Sequence, residues 1–70
     1  MKDQILKKGE IKLIVFLDGD QEKDKAAKIL EVDQYGVSIE LWNLETDCSL
    51  GVPVFFLPWH RITKVKEVKR

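Results

Sequence analysis

Hydrophobic positions in this chain recur mostly at every second residue, the period of a strand whose side chains alternate between two faces. Ile11, Leu13, Val15 and Leu17 alternate with Lys12, Ile14 and Phe16, which predicts a first strand that is apolar on both faces. Asp18-Gly19 follows as a turn signal, because glycine accepts the positive φ that tight turns demand. Val32-Asp33-Gln34-Tyr35-Gly36 is turn-like, and Val37, Ile39 and Leu41 then alternate with Ser38, Glu40 and Trp42 as a second clear strand. Residues 43–51 read as a polar loop. Val54-Phe55-Phe56-Leu57 predicts a short, buried strand limited by Pro53 and Pro58. Ile62, Thr63, Lys64, Val65, Lys66 and Val68 carry enough β-branched residues for a last strand with its basic side chains toward solvent.

Two stretches break the period. Residues 4–8 fit one helical turn stopped by Gly9. Residues 21–31 are rich in Glu, Lys and Ala, with Ala26, Ala27, Ile29 and Leu30 at helical spacing, so local propensity favours a helix where the flanking pattern favours a strand. The residues alone leave that choice open.

Composition narrows the function classes. Seventy residues, 44% hydrophobic and 34% charged, make one domain (residues 1–70) too small for a deep cleft between lobes. Twelve basic and twelve acidic side chains cancel to zero net charge, which excludes a strongly non-specific nucleic-acid binder but leaves room for a local basic face. Cys48 is the only cysteine, so neither an internal disulfide nor a four-cysteine zinc site can form. With no long apolar run at Met1-Lys2-Asp3-Gln4 or elsewhere, the expectation is a cytoplasmic protein without a membrane span.

Candidate chemistry is sparse. Asp18, Asp20, Glu22 and Asp24 lie at alternate positions, yet Lys23 and Ile29 stand where a calcium loop needs Gly and a bidentate Glu. Cys48 and His60 lack an orienting carboxylate at a recognisable spacing, so no enzyme, metal or cofactor is predicted. Tyr35 in a turn, and Trp59, His60 and Arg61 after an apolar strand, supply π faces and donors of the kind single-stranded nucleic-acid sites use. The plainer reading of the same residues is a shaped turn, a packed Trp59 and a solvated basic edge of Arg61 with Lys64, Lys66, Lys69 and Arg70.

Val32-Asp33-Gln34-Tyr35-Gly36-Val37 and Pro58-Trp59-His60-Arg61-Ile62-Thr63-Lys64-Val65 resemble the two motifs of the Hfq branch of the Sm-like family. There an apolar strand ends in Asn-Gly, as Leu17-Asp18-Gly19 does here; a bent strand leads to Phe-Asp-Gln-Phe, and the second motif reads Tyr-Lys-His-Ala-Ile-Ser-Thr-Val. The likeness runs from about Lys7 onward. Pro58-Trp59-His60-Arg61-Ile62 is also similar to the Pro-aromatic-His-Arg-Ile ending of a small archaeal family of RNA-processing domains.

The resemblance implies a mainly β fold: an SH3-like, strongly bent five-stranded antiparallel barrel after a short N-terminal helical turn, assembled edge to edge into a hexameric or heptameric ring. It implies binding of uridine-rich single-stranded RNA, with Gln34 and Tyr35 matching the Gln-aromatic pair, His60 matching the histidine, and Arg61 beside it. Trp59 replaces the family's lysine, exchanging a charge for a stacking surface. Lys7 and Lys8 fall where the family places basic rim residues, Ala27 replaces a glycine at the bend, and Val15 and Asp20 replace the residues of the adenine-binding face. The alternative is a small β-barrel that mediates protein interaction or assembly without RNA.

Overall fold

The computed structural model describes residues 6–68. Six strands carry the alternating pattern: β1 (Ile11–Asp18), β2 (Gln21–Val32), β3 (Gly36–Asn43), β4 (Cys48–Ser49), β5 (Phe55–Pro58) and β6 (Ile62–Glu67), with a 3-10 turn at Trp59–Arg61. All pairings are antiparallel, in the order β4-β3-β2-β1-β6, and β5 pairs with the first half of β3. β5 and β6 therefore end the path β5-β3-β2-β1-β6 while the 3-10 turn joins them directly. No strand pairing among the described residues closes the sheet between them.

The contested stretch is a strand. β2 pairs along its first two thirds with β1, from Asp18↔Gln21 to Ile11↔Lys28, and along its last half with β3, from Ala27↔Leu41 to Val32↔Val37, the two overlapping at Ala27 and Lys28. Helix propensities differ by only tenths of a kcal/mol per residue, whereas full burial of Ile29 alone is worth about 2–3 kcal/mol. The period that wins is two: Ala27 and Ile29 are fully buried, while Ala26, Lys28 and Leu30 are half-buried. The β1–β2 connection is the two-residue turn Gly19-Asp20, with Gly19 at φ +68° as a type II′ hairpin requires.

Ile14, Phe16, Ala27, Ile29, Val37, Ile39, Leu57 and Ile62 form the core together with Leu6, and Leu41, Trp59 and Val65 pack against it. Position 27, where the resemblance looks for a glycine, buries its methyl instead. The register between β2 and β3 shifts at Leu30, so a bulge bends the strand a few residues further on.

Four expectations change. The resemblance implies a five-stranded barrel, whereas the sheet has six strands, β4 being the addition, and no pairing among the described residues closes it. Of the N-terminal helical turn, Gln4 and Ile5 lie outside the described residues. Lys7-Lys8-Gly9-Glu10 is a non-helical turn closed by the Glu10 N–H donating to the Lys7 carbonyl at 3.1 Å. The segment 54–57 is not buried as a unit: Leu57 is 3% exposed, but Val54, Phe55 and Phe56 are 55%, 40% and 49% exposed, because β5 pairs on one side only. The loop 43–51 contains a strand of its own, β4, held to Trp42 and Asn43. Among the described residues no helix is long and apolar enough to cross a membrane.

Candidate nucleic-acid interface

Asp33 organises the β2–β3 turn. Its Oδ1 accepts the N–H groups of Tyr35 at 2.8 Å and Gly36 at 3.0 Å, and its own N–H donates to the Gly36 carbonyl at 3.0 Å. Gly36 lets the turn press against the end of β5. A Cβ there would collide with the Leu57 carbonyl and lie 2.8 Å from the Pro58 Cα.

That approach brings the two singled-out segments together. The Trp59 N–H donates to the Tyr35 carbonyl at 3.2 Å, and the Trp59 indole Nε1–H donates to the Asp33 carbonyl at 2.9 Å. The backbone of Tyr35 is thus fixed on both sides while its phenol projects outward, 69% exposed. Gln34 is exposed in the same turn, and His60 is exposed immediately after Trp59. Trp59 itself is half-buried and packs on the core, so it anchors the turn as well as offering a ring face.

Arg61 points elsewhere. Its Nε and Nη2 both donate to the Leu17 carbonyl, at 2.9 and 2.6 Å, and Nη2 lies 4.0 Å from Asp18 Oδ1. The guanidinium ties the 3-10 turn to the far end of β1, at the β1–β2 hairpin and away from Tyr35. Asp18 also pairs with Lys23 at 2.9 Å, and the hydrogen bond and charge of Lys23, aided by Arg61, hold its carboxyl below the usual carboxylate range.

The lysines of the expected rim lie in the turn before β1, which is pinned to β2 by Gly9 N–H donating to the Ile29 carbonyl and Ile29 N–H donating to the Glu10 carbonyl. Lys7 and Lys8 are exposed, and Lys8 pairs with Glu31 at 3.1 Å. Lys64 and Lys66 are exposed on β6, while Lys69 and Arg70 lie outside the described residues.

The residues that hold the site together were the least visible in the sequence. Asp33 carries a local signal, since Asp three residues before Gly is a common Asx-turn arrangement. Arg61 carries none, because its partner is a backbone carbonyl 44 residues away. Comparison with protein-family models, with curated proteins and with solved structures finds no match to this chain.

Proposed function

We propose that this chain is a non-catalytic, cytoplasmic, single-stranded RNA-binding protein of the Sm-like, Hfq-like type, acting as a hexameric or heptameric ring with a uridine-preferring face. The observation that supports the reading is the joining of the Asp33-Gln34-Tyr35 turn to Trp59 by two hydrogen bonds, with Tyr35, Gln34 and, next to Trp59 in the chain, His60 all exposed. Tyr35 stacks a base, Gln34 and His60 bond base edges or sugar hydroxyls, and the half-exposed Trp59 ring widens the platform. Arg61 takes no part in this face, since its guanidinium is turned to the Leu17 carbonyl at the β1–β2 hairpin. The unpaired sides of β5 and β6 give the sheet two edges that a neighbouring copy can satisfy.

The test is an oligouridine titration of the wild type, Tyr35→Ala and His60→Ala, with native mass measured in parallel. Loss of one stacked base weakens binding by about tenfold at unchanged mass. Equal affinity in all three proteins removes the pocket from the reading.

A second reading, an interaction or assembly module without RNA binding, is favoured by zero net charge and by the exposed apolar run Val52, Val54, Phe55 and Phe56. A stable oligomer with no RNA affinity at low salt would select it.

A further inference from the structure

The inner face of the sheet outlasts its core. On β2 the residues of that face run Lys23, Lys25, Ala27, Ile29: the last two are buried, the first two exposed. Lys23 stands across from Phe16 and Lys25 across from Ile14, so two lysines continue the face of the core beyond its buried part. Beyond them opens a cleft of about 590 Å³, floored by Phe16, Leu41 and Leu57 and walled by Val54 and Phe55 of the β5 side and by Arg61. It runs from the β1–β2 hairpin to Phe56 and Leu57 of β5. Sites at the mouths of small barrels are commonly built this way, apolar within and polar at the lip.

Charge says what such a cleft takes. Lys23, Lys25 and Arg61 face a single lining carboxylate, Asp18, in a chain whose net charge is zero. Asp18 is engaged by Lys23 and lies 4.0 Å from Arg61, whereas Lys25 makes no ion pair among the described residues. We propose that this cleft binds an acidic peptide segment carrying an apolar anchor, the anchor on Phe16, Leu41 and Phe55 and the carboxylates on Lys25 and Lys23.

Two other occupants fit less well. A polyphosphate strand needs a continuing cationic track, whereas the cleft offers Lys23 and Lys25 at one lip over an apolar floor of Phe16, Leu41 and Leu57 that a phosphate backbone cannot use. The chain's own free edge, β6, exposes Lys64 and Lys66, alike in sign to the cleft. The cleft's lysines lie on the hairpin half of β2 and Tyr35 in the turn after its other end, so Lys25→Glu and Tyr35→Ala address the two readings by different side chains.

The experiment is fluorescence anisotropy of the full chain with a fluorescein-labelled peptide bearing a central Trp-Leu pair between runs of Glu. Controls are the same peptide with Gln for Glu, the same peptide with Ala-Ala for Trp-Leu, and labelled oligouridine. The expected result is saturable binding of the acidic apolar probe alone, weakened about tenfold or more by Lys25→Glu and by Val54→Asp and untouched by Tyr35→Ala. Both substituted positions are exposed, and circular dichroism with thermal melting checks that each variant keeps the wild-type fold. No saturation up to about 1 mM overturns the proposal, as does equal binding of either peptide control. Oligouridine binding that Lys25→Glu abolishes would reassign the cleft to nucleic acid, and a change of native mass in Lys25→Glu or Val54→Asp would reassign it to contact between copies.

Discussion

Trp59 donates its indole N–H to the backbone carbonyl of Asp33 at 2.9 Å, across 26 residues of chain. The bond fastens the 3-10 turn to the β2–β3 turn, and with them the two ends of the proposed RNA face. Trp59→Phe keeps a ring against the core and removes the donor. The expected loss is about 1 kcal/mol in urea unfolding, since the carbonyl left behind is within reach of water. Oligouridine affinity should fall as well, because Tyr35 loses part of what holds its turn still.

Gly36 is the closest backbone approach in the site. Gly36→Ala sets a methyl against the Leu57 carbonyl and the Pro58 Cα, both main-chain atoms that no side-chain rotation can clear. β5 must move away from β3 or the Asp33 turn must open, at a cost of about 2 kcal/mol or more. Thermal unfolding measures the cost, and hydrogen exchange at Val37 and Leu57 should show that the loosened pairing is this one. An unshifted melting temperature would mean that the turn has slack.

Much of the mainly β fold was legible from alternation alone: β1, β3 and β6 fall where Ile11 to Leu17, Val37 to Leu41 and Ile62 to Lys66 alternate. β2 was not, because Ala26, Ala27, Ile29 and Leu30 satisfy a helix equally well and only pairing on both sides decides between them. Burial of β5 was misjudged for a related reason. Val54-Phe55-Phe56-Leu57 looks like a core strand by composition, but composition does not reveal that one of its sides has no neighbour. Tyr35 and His60 stood out as an aromatic in a turn and a histidine after an apolar strand, whereas Gln34 entered only through the resemblance. The partners of Trp59 and Arg61 are backbone carbonyls, which carry no sequence identity to read.

Arg61 holds Leu17 through two nitrogens of one planar group, a geometry that lysine cannot reproduce. Arg61→Lys should therefore cost about 1 kcal/mol, discounted for the partial exposure of the side chain. The effect should be local: amide exchange in the 3-10 turn and at the β1–β2 hairpin rises, while the β2–β3 pairing keeps its protection. Peptide binding to the cleft should survive in this variant, since the charge is retained.

Asp18 and Lys12 shape the two limbs of the stability profile in opposite senses. The hydrogen bond and charge of Lys23 lower the folded-state pKa of Asp18, so its contribution is present above the ordinary carboxylate range and is lost as pH falls through the lowered value. Below about pH 4 the wild type should lose stability more steeply than Asp18→Asn, and the two should converge at the acid end. Lys12 runs the other way. Its hydrogen bond to Glu67, 2.6 Å long, raises the lysine above its ordinary pKa, so that contribution is complete below the ordinary value and disappears as pH climbs through the raised one. Lys12→Met should flatten the alkaline limb. Chemical unfolding midpoints across pH check both, and a steeper acid limb in Asp18→Asn than in the wild type would contradict the pairing with Lys23.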